Sequence, residues 1–435
     1  MNGGRLQARQ ARKRKRNRAR AENIAIVVLA ALALFLAGQT GMIQNTLPAL
    51  GNSQTVEGGY TVGPAVSLTG ASPVRLVLRN GAVRYGVEYD PAEVDRLYRE
   101  GLADLLDQGL RTMDAPVLIS EEDWQGALTA SDRWAFYDFL NNIVFDQQNT
   151  QGSGAGRFFL VTGRGGEAEE IFFYNEAQRH FYRARIRESV RLPDGISAVQ
   201  SNGARFAFED QAVAEVLSPY MLVLDDPPAC PVFTAADPLA ELDDQGWDDL
   251  LESLSFNAKA ASPYTTATGS VIREGTDTLR VMNDGTIQFH GSETGEARYV
   301  ALSERHRDLQ MKAEEILDRA TVSYRGPARF LCRSVRTLED GQTELIYTYL
   351  LNGARVQMWG EGWGARFLFR GSTVSAYTIL TRSYAAGDRL CPLLPLRQAA
   401  AAASAMGRRG SELQVTYQDD GGQQAEASWT VREPR

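Results

Sequence analysis

Three histidines and three cysteines are the residues of this 435-residue chain with the widest range of catalytic chemistry. His180, His290 and His306 lie far apart, and none stands beside a Ser or Cys in a strand-to-helix turn. A Ser-His-Asp or Cys-His site would therefore require assembly from distant segments that no local motif indicates. We predict that each histidine is an ordinary strand or helix-surface residue, and we predict no catalytic residue.

Acidic clusters and one glycine-rich stretch are the next candidates. The three acids at 121–123 could supply paired carboxylates for glycoside cleavage, but they also fit the first turn of a helix, where the helix dipole favours acids. The acids between 237 and 252 lack the order of a calcium-binding loop. The Gly-Arg-Gly-Gly stretch at 163–166 precedes acids and a strand rather than a helix, so it predicts a hairpin turn and no phosphate site.

The cysteines indicate neither a metal site nor a disulfide-rich scaffold. No Cys-x-x-Cys or Cys/His cluster occurs, and three cysteines are too few for disulfides to stabilise a chain of this length. Cys332 and Cys391 could pair if neighbouring strands bring them together, which would leave Cys230 alone. The alternative is that all three are buried thiols. We predict no metal and no cofactor.

Two tryptophans provide the best candidate contact site. Trp359 and Trp363 flank a Gly-Glu-Gly turn between two predicted strands. If exposed, their rings could stack on sugars or anchor a protein partner. The alternative is a hairpin in which both rings fold back onto the sheet.

The beginning of the chain predicts how the rest is positioned in the cell. Residues 1–22 carry nine basic residues and one acid, and 23–43 form an apolar stretch with no ionisable side chain from Ile24 to Ile43. Twenty helical residues span the hydrocarbon layer of a bilayer, and the basic tail favours the cytoplasm. We expect a single-pass anchor with the remaining chain outside. A cleaved signal peptide is disfavoured because Gln39 and Thr40 are poor at its cleavage site. A nucleic-acid-binding tail is disfavoured because the apolar stretch follows directly.

The charge of the remaining chain excludes some partners. Beyond the tail there are 37 basic and 53 acidic residues, a net charge of −16. An acidic region of this kind is not expected to bind nucleic acid or an anionic lipid surface. About 390 residues outside the membrane are enough for two units with their own cores.

The pattern along the chain predicts an α+β protein. Residues 44–73 are rich in small and polar residues and predict a stalk, followed by a first α+β unit at 74–230 and a second at 231–435. Alternating strands around Asn80-Gly81 predict a hairpin, and Asp90-Pro91 predicts the start of a helix. Strands grouped together, rather than alternating with helices, favour antiparallel sheets packed with a few helices. A proline-rich stretch near 226–231 marks the boundary.

The C-terminal third predicts a repeated arrangement. One helix at 309–320 precedes strands from 329 to 382, and a second at 393–406 precedes strands at 412–418 and 425–431. Helix followed by antiparallel strands, twice over, indicates two small α+β units that share one layer.

Three segments resemble the YycH/YycI family of membrane-anchored regulators of the WalK sensor histidine kinase. They are 75–90 (RLVLRNGAVRYGVEYD), 351–381 with its Leu-Asn-Gly turn, and 394–431, which is similar to the PepSY-like closing unit of that family. The resemblance spans most of the chain in architecture and implies no catalytic residue. The long basic tail departs from the family pattern.

The resemblance implies a regulator of a two-component sensor kinase that governs cell-wall metabolism. The anchor helix would pack beside the kinase helices, and a paralogous regulator is a further expected partner. Small residues permit close approach of helices in a membrane, and the candidates are Ala30, Ala31, Ala33, Gly38 and Gly41. The alternative function is a module that binds cell-envelope glycans or peptides through Trp359 and Trp363.

Overall fold

The computed structural model describes residues 72–147, 152–164, 166–193, 199–240, 242–258, 264–291 and 296–432. The predicted tail, anchor and nearly all of the predicted stalk lie outside these residues. Among the described residues, no helix combines the length and apolar character needed to cross a bilayer.

The first sheet has seven antiparallel strands. They are β1 (Arg75–Asn80), β2 (Val83–Glu88), β3 (Val117–Ile119), β4 (Arg133–Gln147), β5 (Gly152–Arg164), β6 (Glu167–Asn175) and β7 (His180–Arg191). Their spatial order is β2-β1-β4-β5-β6-β7-β3. The predicted hairpin forms, with Asn80 opposite Val83 and Gly81 at a φ of 61°.

β4 is the strand that periodicity does not reveal. Its stretch from Trp134 to Phe145 is almost continuously apolar because both faces of this central strand are covered. Without alternation between apolar and polar side chains, the period-two signal of a strand is lost.

Helices cover both faces of the first sheet. They are α1 (Pro91–Leu97), a π-helical turn (Tyr98–Leu102), α2 (Ala103–Thr112) and α3 (Glu121–Ala130). Asp90 caps α1 as predicted, with its side chain accepting a hydrogen bond from the Glu93 N–H. The predicted continuous helix is interrupted because Gly101 adopts a φ of 117°, which side chains with a Cβ rarely adopt. α1 and α2 pack on one face, and α3 packs on the other through Trp124 and Leu128.

The second sheet has thirteen strands. They are β10 (Pro231–Ala236), β11 (Tyr264–Thr266), β12 (Gly269–Glu274), β13 (Asp277–Met282), β14 (Thr286–His290), β15 (Arg329–Thr337), β16 (Thr343–Leu351), β17 (Ala354–Met358), β18 (Ala365–Arg370), β19 (Thr373–Leu380), β20 (Ser383–Leu390), β21 (Glu412–Asp419) and β22 (Gln424–Arg432). Their order is β11-β12-β13-β14-β19-β18-β16-β17-β21-β22-β10-β20, and β15 pairs with β16. β17 and β21 run parallel, whereas the prediction was of antiparallel strands only.

Two apolar clusters pack against the second sheet. The helices are α4 (Asp244–Ser253), α5 (His306–Thr321) and α6 (Leu396–Ala405). α4 and α5 cover β12 to β16 with β18 and β19, and α6 covers β10, β17, β21 and β22. The two predicted helices of the C-terminal third are α5 and α6. Their strands share one sheet because β17 pairs with both β16 and β21.

The segment between the sheets belongs to both cores. It contains β8 (Arg205–Phe206), a 3-10 turn (Ala207–Glu209) and β9 (Leu222–Val223). Phe206 packs with α3 on the first sheet, whereas Leu217 packs with α6 on the second. This segment therefore packs against both sheets.

Candidate functional site

A buried ion-pair network joins the two sheets, and Arg157 of β5 is at its centre. Its side chain is 3% exposed. The guanidinium contacts the Asp138 carboxylate at 3.0 and 3.2 Å, and it also contacts Glu176 at 2.9 Å. From the second sheet, Glu412 of β21 accepts two further hydrogen bonds from the same guanidinium. One arginine therefore connects carboxylates of both sheets.

Two more arginines extend this network. Arg75 lies 3.1 Å from Asp138 and 3.3 Å from Glu88, and its Nη1 donates to the Tyr220 carbonyl at 2.8 Å. Arg432, on the last described strand, lies 2.8 Å from Glu176. We call these residues the inter-sheet network: Arg75, Arg157 and Arg432 with Glu88, Asp138, Glu176 and Glu412.

The network shifts the pKa of its carboxyl groups. Burial would raise the pKa of Glu412, but the charges of Arg157 and Arg432 outweigh burial and hold that pKa well below its usual value. Burial and the same two arginines act on Glu176, whose pKa is also lowered. Burial raises the pKa of Glu88, and the opposing charge of Arg75 does not fully offset this. Folding therefore keeps Glu412 and Glu176 ionised to a lower pH than in the unfolded chain.

A kink in β4 places this network beside the second sheet. The pairing of β4 with β5 shifts between Asp138 and Ile143, and Leu140 adopts a φ of 67°. That backbone conformation is strained for a residue with a Cβ, and the Asp138 carboxylate supports it by accepting the Leu140 N–H at 2.7 Å. The kink turns Asn141 towards β15, where its side chain donates to the Cys332 carbonyl at 2.6 Å.

A cleft of about 260 Å³ lies next to the network, between the two sheets. Its walls include 72–74, Asp95 of α1 and Glu314 of α5. Arg329 of β15 crosses the cleft to Asp95, with Nη1 at 3.2 Å from the carboxylate. Burial raises the pKa of Glu314, although the Gln310 amide donates to its carboxylate at 2.8 Å. Charged side chains therefore line the cleft from both sheets.

The described residues bring together no group of three or more His, Cys, Asp or Glu side chains suited to a metal ion. The acids at 121–123 lie in the first turn of α3, where Ser120 and Asp123 form a capping box. The stretch at 163–166 falls between β5 and β6, where we predicted a hairpin turn. Asp243 caps α4 by accepting the Gly246 N–H at 2.8 Å.

The three cysteines are free and buried. Of the two alternatives left open by the sequence, three buried thiols are found, and Cys332 and Cys391 are not paired. The neighbour of Cys391 is Cys230, whose carbonyl accepts the Cys391 N–H at 2.8 Å. Burial raises the pKa of Cys230 to about 12, so its thiol stays protonated at neutral pH.

Both tryptophans of the predicted contact site are half-buried. Trp359 packs against the core beneath α6, and the Arg382 guanidinium lies over its ring at 5.2 Å. The strands on either side, β17 and β18, pair with different parts of β16 and not with one another. The segment at 359–364 therefore connects two parts of the sheet. The proposed anchor contacts Ala30, Ala31, Ala33, Gly38 and Gly41 lie outside the described residues.

Sequence reasoning missed the inter-sheet network because its members are distant in the chain. Arg157 and Glu412 are 255 residues apart. One signal was available: Asp138 lies within an otherwise apolar run, and a carboxylate buried in such a strand requires a cationic partner. The sequence does not identify which of the 42 arginines supplies it.

Comparisons with known proteins identify one similar solved structure. No protein-family profile matches the chain, and no curated protein matches its sequence. The fold is similar to that of YycH from Bacillus subtilis. That similarity covers 83% of this chain and 93% of the YycH chain, at 12% identity and a TM-score of 0.46. The three sequence segments described above resemble the family of the same protein.

Proposed function

We propose that this protein is a single-pass, membrane-anchored extracytoplasmic regulator of a two-component sensor histidine kinase that controls cell-wall metabolism. The observation that carries the proposal is the pattern of 1–43, a strongly basic tail followed directly by an apolar stretch. The kinase as partner, and a paralogous regulator beside it, come from the family resemblance of the three sequence segments. The proposed role requires no catalytic activity, cofactor or nucleic acid.

The position of the cleft supports a route from the anchor to the fold. Residues 72–74, which immediately precede β1 and follow the predicted stalk in the sequence, line the cleft between the two sheets. Asp95 and Arg329 form an ion pair across that cleft. Polar interfaces between parts of one chain commonly permit relative motion. A pull or rotation at the anchor would therefore act first on the contact between the sheets.

The proposed mechanism is a shift in population between two arrangements of the regulator and kinase. A partner changes such an equilibrium only through a difference in contact energy between the two states. The anchor helix would supply one set of contacts in the membrane, and the folded part would supply another against the sensor domain of the kinase.

Co-purification of the full chain with the kinase from detergent-solubilised membranes tests this proposal. Replacing 24–43 by an unrelated spanning helix is expected to abolish association and to change kinase autophosphorylation. A matched control replaces 1–22 by an equally basic tail and retains both properties. Unchanged association and unchanged kinase output with the foreign helix would reject the proposed contact in the membrane.

The second candidate function is binding of envelope glycans or peptides. Trp363 is half-buried, so part of its ring stays accessible between β17 and β18. Addition of peptidoglycan fragments should then shift the intrinsic tryptophan fluorescence, and W363A should remove the shift. Trp359, whose ring is covered by Arg382, provides the control position. A tryptophan fluorescence spectrum that does not change when the fragments are added would reject this candidate function.

A further inference from the structure

Arg355 of β17 lies at the sheet interface, where no described residue supplies a counter-ion to its guanidinium. Its Nη2 donates to the Asn141 side-chain oxygen at 2.8 Å and reaches the Leu140 carbonyl at 3.4 Å. Its Nε is buried and has no hydrogen-bond partner. Among the residues that the structure describes, no carboxylate forms an ion pair with Arg355. Both of its acceptors are neutral.

Three arginines that are more deeply buried than Arg355 show how unusual this is. Arg75 and Arg157 each contact Asp138, and Arg382 contacts Asp419 at 2.9 Å through two nitrogens. An arginine side chain stays protonated in proteins, so burial cannot be relieved by losing the proton. Arg355 therefore carries a charge that no carboxylate of the described chain neutralises.

Further positive charge surrounds Arg355. Burial is the largest influence that lowers the pKa of Arg355, followed by the charges of Arg432, Arg333 and Arg157, while Glu176 opposes them. Of these, Arg333 has no ion pair within the described residues. Arg432 keeps one nitrogen, Nη1, at 3.6 Å from Glu412, which is too long for a hydrogen bond.

The arginines around Arg355 outnumber the carboxylates of the inter-sheet network. Arg333 and Arg355 together with the three arginines of the inter-sheet network make five positive groups, which face the four carboxylates of that network. Burial raises the pKa of Glu88, which favours its neutral form and increases the deficit of negative charge.

A neutral hydrogen-bonding group without a partner lies on the same face of the second sheet. Arg355 is in register with Thr416 of β21, which is in register with Ser428 of β22. Directly opposed residues share a face of a sheet. The buried Ser428 hydroxyl has no hydrogen-bond partner among the residues that the structure describes. Ordered water could satisfy these donors, but water does not neutralise a guanidinium.

We propose that Arg333, Arg355 and Arg432, called here the arginine face, bind a small oxyanion such as a phosphate or carboxylate group. Two oxygens of such a group match the planar donors of a guanidinium. Arg333 and Arg355 are only half-buried, so the anion reaches them from solvent. Because the arginine face lies between the sheets, a bound anion stabilises their contact. The proposal is independent of the proposed kinase partner.

Thermal unfolding of the full chain in neutral detergent tests the proposal. Phosphate and acetate are titrated against chloride at constant ionic strength and pH 7. We expect a saturable rise of the melting temperature with phosphate or acetate and none with chloride, and the stronger ion identifies the ligand chemistry. R355Q should weaken the response roughly tenfold or more, as expected for loss of a bidentate charged contact.

Two further variants make the outcome decisive. R111Q removes an arginine that is 59% exposed and pairs with Asp107 on α2, and it should respond like the wild type. If R355Q does not fold, R333Q replaces it and should weaken the response several-fold. If the melting temperature of the wild type is the same in oxyanions and in chloride, the proposal is overturned, and water is then the occupant of the arginine face. If the melting temperature of R355Q, or of R333Q in its place, rises with the oxyanion as much as that of the wild type, the proposal is overturned as well.

Discussion

Replacing Arg157 by methionine is the most direct test of how the two sheets are held together. The side chain is 3% exposed and connects Asp138, Glu176 and Glu412. Removing one partner from a buried ion pair costs about 3–5 kcal/mol because the remaining charge stays buried. Arg75 and Arg432 still compensate part of the lost charge, so we expect about 3 kcal/mol for R157M.

The expected shift in melting temperature follows from the size of the described region. Unfolding entropy is about 2.1 cal/mol/K per residue, which gives roughly 0.7 kcal/mol/K for about 340 residues. A loss of about 3 kcal/mol then lowers the melting temperature by roughly 4 °C. Differential scanning calorimetry of the full chain in neutral detergent measures this shift at a fixed protein concentration.

A double-mutant cycle separates the contact between the sheets from a general loss of packing. E412M alone should cost less than R157M, because Arg157 keeps Asp138 and Glu176. The double variant should be less destabilised than the sum of the single variants, by about 0.5–3 kcal/mol.

The control for this cycle is R389M, which removes an ion pair with Glu426. Arg389 is 65% exposed, and exposed pairs contribute about 1 kcal/mol or less. If R157M lowers the melting temperature no more than R389M, the inter-sheet network does not stabilise this interface. Strict additivity of R157M and E412M would likewise reject the proposed link.

Three further predictions concern local elements and pH. G101A should destabilise the protein by about 1–3 kcal/mol because of its φ of 117°, whereas G126A, in α3 with open space around it, should stabilise it slightly in the same thermal assay. S120A should cost about 1 kcal/mol in urea unfolding by removing the cap of α3, and an unchanged midpoint would contradict this. Because folding lowers the pKa of Glu412, its stabilising contribution is complete above the unfolded pKa of about 4.3 and is lost as the pH falls below it. E412Q should therefore lose less stability than wild type between pH 5 and pH 3, and parallel melting curves would refute the assignment.

The sequence determined the elements whose signals are local. The hairpin of β1 and β2 follows from Asn80-Gly81, and the starts of α1 and α3 follow from Asp90 and Ser120, because turns and caps depend on neighbouring residues only. The strands predicted between 329 and 382 correspond to β15 to β19, and those predicted at 412–418 and 425–431 correspond to β21 and β22. The predictions for 1–43 depend on composition alone.

Features that depend on residues distant in the chain could be seen only in the tertiary structure. β4 was missed because a strand buried on both faces has no alternation, and its charged residue, Asp138, acquires a role only beside Arg157 and Arg75. The cysteines show the same dependence, since strand pairing set Cys391 beside Cys230 rather than Cys332.

The inter-sheet network and the arginine face could not be predicted from the sequence, for the same physical reason. A charge is stabilised by whatever lies within a few ångströms, and chain folding brings Glu412 to Arg157 across 255 residues. The number of residues between Glu412 and Arg157 does not predict how close they lie in the folded protein. The absence of a counter-ion at Arg355 is equally a property of the folded interface, since nothing in the residues around it distinguishes it from the other arginines of the chain.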